Sequence, residues 1–243
     1  MAKIGWIGLG QMGTPMVENL LKGSVDVTVY NRSFDKTLPL VEKGAKNTKN
    51  VEEIFEQNDT IFFMISNYSA ALEILNENVL SKIKDKKIVN VSTISPTESK
   101  ALGKLVIEND GKYIEAPVSG SVGAATAGVL LILVGGNEAD TKDLYSNFDI
   151  LGSKTYYFGE LGKATGAKLV LNSLLGIFGE AYSEVLLLAQ NFGIDTETIV
   201  NAISDSRMSS ALFQEKKDMF TNRKYPAAFM LKHITKDLKL SNE

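Results

Sequence analysis

The sequence predicts an α/β fold, a Rossmann-type doubly wound parallel sheet followed by an all-α C-terminal domain. Three observations carry that prediction. An apolar run at residues 3–8 leads straight into the glycines of "GLGQMG" and then into a helical pattern. Continuous apolar runs alternate with helical stretches as far as about residue 160. Beyond residue 161 only helical periodicity is left, so the expected domains are 1–160 and 161–243.

The elements follow in order. Met16, Val17, Leu20 and Leu21 recur at helical spacing after the glycine loop. "VDVTVY" (25–30) alternates and is β-branched, which suits a second strand. "TIFFMIS" (60–66) and "KKIVNVS" (86–92) are continuous apolar runs of the kind buried on both faces of a parallel sheet. Residues 51–57 form a helix between such runs. At "SPTE", Ser95 caps a further helix, Pro96 takes its first position and Glu98 completes a capping box. Residues 112–116 and "GVLLILV" (128–134) are two more strands, and "NEADTKDLYSNF" is a helix with acidic residues in its first turn. A long helix is expected to run to Asn191. "GID" (193–195) then stops it and caps the next.

Bulk properties narrow the function. The 243 residues carry 26 basic and 29 acidic side chains, a net charge of −3, so no basic excess points to nucleic acid or an anionic membrane. The absence of cysteine excludes disulfides and thiolate metal sites. The single histidine, His233, argues against a histidine metal cluster or a serine–histidine pair. The tract 169–189 is interrupted by Asn172, Glu180 and Glu184, which predicts a buried core helix rather than a membrane span. With no targeting signal in view, a cytoplasmic location is expected.

The glycines at 8, 10 and 13 have the spacing G-x-G-x-x-G, between a strand and a helix and with a second strand at the right distance. In that context Gly8 makes a tight turn, Gly10 lets a pyrophosphate approach the backbone, and Gly13 lets helix and strand pack closely. Phosphates then sit on the helix N-terminus. Gly8, Leu9, Gly10, Gln11, Met12 and Gly13 are therefore expected to bind cofactor. So is Ser66, which closes the run 60–66. NAD binders usually place Asp or Glu at the end of the second strand, where it bonds the ribose diol. Here stand Asn31 and Arg32. Asn31 does not repel a 2′-phosphate, and a guanidinium can grip one with two charge-assisted hydrogen bonds. NADP is the expected cofactor, with NAD the weaker alternative.

"IGLGQMGTPMVENL", "YNRS", "STISP", "APVSGS", the Lys168/Asn172 pair and "KDLKL" occur in that order along nearly the whole chain. Together they resemble the β-hydroxyacid dehydrogenase family, closest to its branch of NADPH-dependent glyoxylate and succinic semialdehyde reductases. The NAD-dependent 3-hydroxyisobutyrate dehydrogenases are the neighbouring alternative. The resemblance implies that Lys168 is the catalytic acid/base and that Asn172 holds substrate. It implies that Ser119, Gly120 and Ser121 offer a hydroxyl and backbone N–H groups to a carboxylate, and that Thr93 lies beside the nicotinamide. It further implies that Lys236 reaches cofactor or substrate and that Phe229 walls the pocket. Two features depart from the family: Ala164 stands where a glycine is common, and members usually continue for several helices beyond "KDL". The helical domain is accordingly expected to be short or incomplete, its cleft partly uncovered or covered by a second subunit.

The chemistry explains a lysine in the apolar stretch "GAKLVLNSLLG". Hydride transfer to an aldehyde leaves negative charge on oxygen, which an ammonium can stabilise and protonate. A free lysine with a pKa of about 10.4 is a sluggish acid near neutrality, and apolar surroundings lower that value. The expected protein is thus an NADP-dependent reductase of small aldehyde or keto acids, acting reversibly on hydroxy acids. An imine reductase of the same layout, or a catalytically silent dinucleotide-binding module, are the alternatives. A long apolar helix on so small a second domain predicts a homo-oligomer, a dimer or tetramer.

Overall fold

The computed structural model describes residues 3–226 and 229–242. The chain divides into two compact units, Met1–Val170 with Lys239–Glu243, and Leu171–Leu238.

In the first unit the strands are β1 (Ile4–Ile7), β2 (Val27–Tyr30), β3 (Lys46–Asn47), β4 (Thr60–Phe63), β5 (Lys87–Asn90), β6 (Lys112–Glu115), β7 (Val118–Ser119), β8 (Leu130–Gly136) and β9 (Gly152–Tyr157). Between them lie α1 (Gly13–Lys22), α2 (Leu38–Val41), α3 (Val51–Gln57), α4 (Tyr68–Ile74), α5 (Glu77–Leu80) and α6 (Pro96–Glu108). Three shorter helices follow: α7 (Val122–Ala127), α8 (Glu138–Thr141) and α9 (Tyr145–Leu151). The sheet order is β3-β2-β1-β4-β5-β6-β8-β7, with β9 also on β8, and the first six strands are all parallel.

Strand alternation sends neighbouring residues to opposite faces, and both faces are apolar. Trp6, Val29, Phe62, Val89 and Ile114 build one core with Met16, Val17 and Leu20 of α1 and Phe148 of α9. Trp6 stacks on Phe62 with ring centroids 5.3 Å apart. Ile7, Ile61, Phe63, Ile88 and Tyr113 build the other with Ile54 and Phe55 of α3 and Leu102 and Val106 of α6. Helices on both faces of a parallel sheet are the doubly wound arrangement the apolar runs predicted. The capping box is also present, with Glu98 N–H donating to Ser95 Oγ and Ser95 N–H to the Glu98 carboxylate.

The far edge of the sheet differs from a purely parallel one. β8 runs antiparallel to β6 and β7, and β9, not expected from the sequence, lies parallel to β8. An apolar run buried on both faces has no signature of direction, so the pattern at 128–134 could not distinguish the two. That strand also begins later than its apolar run, because Gly128 (φ +68°) ends α7 in the left-handed conformation. The helix expected over "NEADTKDLYSNF" is split into α8 and α9 by a 3₁₀ turn, Lys142–Leu144.

A buried polar cluster crosses the second core. The Tyr113 hydroxyl receives a hydrogen bond from Asn90 Nδ2 at 2.9 Å and lies 3.2 Å from Ser99 Oγ. Burial pushes the phenol well above its ordinary pKa, against the opposing pull of these two hydrogen bonds. The unfolded phenol ionises near pH 10, so this contribution is complete below that pH and is lost as pH rises above it, by about 1.4 kcal/mol per unit. Tyr113→Phe is expected to cost about 1–3 kcal/mol at neutral pH, since Asn90 and Ser99 lose a buried partner. It should also flatten the alkaline limb in urea melts, and a limb as steep as the parent's would count against this account.

The second part of the chain is helical: α10 (Lys163–Asn191), α11 (Thr196–Asp205), α12 (Ala211–Asn222) and α13 (Leu231–Leu240). Asp195 caps α11 by accepting the Thr198 N–H, as "GID" suggested, and those hydrogen bonds hold its carboxyl below the usual range. The core of the second unit is small and aromatic, with Tyr182, Leu186, Val200 and Phe213 buried together. It covers only one stripe of α10. Ile177, Leu187 and Leu188 are 63%, 56% and 51% exposed, so α10 is not the buried core helix its composition suggested. Among the described residues it is the one helix long and apolar enough to cross a membrane by length and composition.

Candidate active site

The first unit gathers the carboxyl ends of its strands. The order β3-β2-β1-β4-β5 reverses direction at β1, which places a crevice outside the ends of β1 and β4. The glycine loop lies there, and each glycine does separate work. Gly8 has φ +102°, and a Cβ on it would stand 2.1 Å from the Met64 carbonyl oxygen. A Cβ on Gly13 would stand 2.1 Å from the Gly8 carbonyl oxygen. It would also stand 3.2 Å from Trp6 Nε1 of β1, so Gly13 serves the turn as well as the close helix–strand packing expected of it. Gly10 is exposed, and a Cβ there would meet nothing within 4 Å. Its open backbone is the cradle a pyrophosphate needs.

The adjoining helix suits an anion. α1 begins after Met12 with no side-chain cap and no acidic residue in its first turn, so its N-terminal N–H groups and the positive end of its dipole stay unopposed by side chains. Asn31 ties the loop to β2: its Oδ1 accepts the Leu9 N–H at 2.9 Å, and its Nδ2 donates to the Ser33 carbonyl at 2.9 Å. The amide is a brace, a role its sequence position did not announce. Arg32 is exposed and has no hydrogen-bond or ion-pair partner among the described residues. Ser92 joins the neighbouring strand ends, its hydroxyl donating to the Phe63 carbonyl and accepting the Ile65 N–H. Thr93 follows it, half-buried, and Ser66 is exposed just past β4.

Ser119, Gly120 and Ser121 link β7 to α7. Gly120 has φ +148°, and a Cβ there would meet Leu130 and Ala124 at 2.8 and 2.9 Å. Ser121 Oγ accepts the Ala124 N–H as the cap of α7, at 3.4 Å, leaving its own hydrogen to donate elsewhere. Lys168 belongs to the first unit and is buried, with only 8% of the residue exposed, an uncommon place for a lysine.

In the second unit Asn172, 3% exposed, donates to Asp237 Oδ2 at 2.7 Å. Lys236 pairs with Asp237 Oδ1 at 3.0 Å. Asp237 therefore organises two of the candidates, a role that the motif "KDLKL" does not disclose because Asn172 is distant in the chain. Phe229 is 44% exposed and stacks on His233, ring centroids 6.1 Å apart.

Comparison with known proteins agrees with this geometry. Residues 3–159 match the model of the NAD binding domain of 6-phosphogluconate dehydrogenase. Residues 162–243 match that of the NAD-binding of NADP-dependent 3-hydroxyisobutyrate dehydrogenase. Two Arabidopsis thaliana proteins, glyoxylate/succinic semialdehyde reductase 2 (chloroplastic) and 1, are each 34% identical over 98% of this chain, covering 67% and 84% of their own lengths. The chain belongs to the β-hydroxyacid dehydrogenase family. A solved Mycobacterium tuberculosis 3-hydroxyisobutyrate dehydrogenase shares its fold, with TM-score 0.90 at 23% identity, over 100% of this chain and 86% of that one.

As a β-hydroxyacid dehydrogenase the protein is an oxidoreductase that binds a nicotinamide dinucleotide. The observed residues fit that cofactor: an open glycine cradle, an uncapped helix N-terminus without acidic residues, and an exposed arginine past β2. The first unit brings together Gly8, Leu9, Gly10, Gln11, Met12, Gly13, Asn31 and the ends of β4 and β5. The second brings together Asn172 and Lys236 through Asp237.

Proposed function

We propose that the protein reduces small aldehyde or keto acids with NADPH and oxidises the corresponding hydroxy acids in reverse. The observation that carries this reading is Lys168, a lysine 8% exposed in an apolar helix of the same unit that holds the dinucleotide loop. The nicotinamide supplies the hydride. Lys168 stabilises the developing alkoxide with its ammonium and delivers the proton to that oxygen.

The other roles follow from chemistry. Residues 1–160 bind the dinucleotide: Gly10 and the α1 N-terminus take the pyrophosphate, Arg32 the 2′-phosphate, and Ser66 and Thr93 line the nicotinamide half. The backbone N–H groups around Gly120, with Ser119 and Ser121, receive the substrate carboxylate. Residues 161–243 complete substrate binding: Asn172 orients substrate with its amide, which the hydrogen bond from Nδ2 to Asp237 holds in place. Lys236 and Phe229 contribute charge and an aromatic wall. The names of the Arabidopsis relatives favour glyoxylate and succinic semialdehyde as substrates. The test is loss of reduced-nicotinamide absorbance with each aldehyde, using NADPH and separately NADH. Tight NADPH binding without turnover on any aldehyde acid would overturn the reading.

The exposed apolar side chains of α10 support a homo-oligomer. Val170 and Ile177, 68% and 63% exposed, are large surfaces to leave in water. Sedimentation is expected to give a dimer or tetramer, and a stable monomer would exclude it.

A further inference from the structure

We infer that Glu115, the last residue of β6, is a positioning residue that fixes the start of α10 and through it Lys168. This rests on the acid/base role proposed for Lys168. Glu115 is fully buried, an unusual place for a carboxylate. Its Oε1 accepts the Gly162 N–H at 2.5 Å and its Oε2 the Thr165 N–H at 3.2 Å.

These N–H groups belong to the N-cap position and the first turn of α10, a helix start that ordinarily takes its cap from the side chain just before the helix. That position is Gly162, held at φ +92°, which has no side chain to offer, and the first turn holds no acidic residue. A carboxylate 47 residues earlier in the chain supplies the cap instead. It binds the start and the end of the first turn at once, which fixes both the height of the helix along its axis and its rotation.

Two small residues complete the seat. Glu115 faces Gly135 across the antiparallel β6–β8 pair. A Cβ on Gly135 would stand 2.9 Å from Glu115 Oε2 and 3.0 Å from the Ala164 Cβ. Ala164 is fully buried against this seat, and Lys168 lies four residues on, on the same helix face. Lys168 is also only about 4.5 Å along the axis from Thr165. A rotation or slip of the first turn therefore moves the ammonium directly.

The test compares Glu115→Gln, Glu115→Asp and Lys168→Ala with the parent, all in the NADPH assay. The glutamine can accept only one of the two N–H groups and turns an N–H of its own toward the other. It is expected to lower kcat about tenfold. NADPH affinity should stay within about twofold of the parent, because the glycine loop lies on β1, three strands away, or roughly 14 Å. The solvent deuterium isotope effect on kcat should rise as proton delivery becomes slower, a change that lowered stability alone does not produce. Glu115→Asp keeps a carboxylate and should recover part of the loss. A folded Glu115→Gln protein with parental kcat and isotope effect, beside an inactive Lys168→Ala, would overturn this inference and leave Lys168 in its role. Should the glutamine variant fail to fold, parental kcat in Glu115→Asp would overturn it and a reduced kcat at unchanged NADPH affinity would support it. Full turnover in Lys168→Ala would remove both.

Discussion

Replacing Lys168 by alanine is expected to lower kcat by roughly 10²–10⁴ while leaving NADPH affinity near that of the parent. Two considerations set those sizes. The proton donor acts only once negative charge develops on the substrate oxygen, so its loss appears in kcat and kcat/KM rather than in cofactor binding. The site proposed for the dinucleotide is elsewhere, at the loop of Gly8, Gly10 and Gly13 and the uncapped α1 N-terminus. Alanine also removes a long buried side chain, so Lys168→Met serves as a second variant that keeps the apolar stem and deletes the ammonium. Both variants should be equally slow if charge and proton are what matter. Methionine restoring most of the turnover would show that Lys168 fills space, and near-parental turnover in both would end its assignment as the acid/base.

The elements that could be read from the sequence are those whose physics is local. The capping box at Ser95 and Glu98 lies within four residues, and the observed hydrogen bonds are the expected ones. The turn at Gly8 and the open backbone at Gly10 follow from the absence of a Cβ. What escaped is non-local. Glu115 looks like a charge ending the strand "KYIE", and nothing nearby in the chain shows that its partners are Gly162 and Thr165. Asp237 stood inside a motif already in view, yet only the fold gives it Asn172 as a neighbour. The direction of β8 and the presence of β9 depend on pairing between segments, which hydrophobicity does not encode. The exposure of α10 separates two expectations: its composition suggested a buried core helix, which the structure overturns, whereas the small size of the second domain implied that its apolar surface would be poorly covered, as observed.

The same contrast between local and distant partners bears on cofactor choice, where Arg32→Ala is expected to weaken NADPH binding roughly 10- to 100-fold and leave NADH binding nearly unchanged. One charged hydrogen bond contributes about 1.5–3 kcal/mol, and a guanidinium can present two to a phosphate. Arg32 is exposed, so salt screening keeps the loss within that range rather than above it, and the preference for NADPH should shrink as ionic strength rises. Asn31 adds to the preference in a way its residue type alone does not show. Its Oδ1 already accepts the Leu9 N–H, so it is poorly placed to receive a ribose hydroxyl as the carboxylate of an NAD binder does. Asn31→Asp can keep that bond to Leu9 but loses the one from Nδ2 to the Ser33 carbonyl, so its second oxygen turns away from Ser33, carrying a charge that repels a 2′-phosphate and can accept the diol of NADH. Combined with Arg32→Ala, it should reverse the ratio of kcat/KM for the two cofactors. An Arg32→Ala protein with the parent's ratio at low salt would show that the 2′-phosphate is held by other groups.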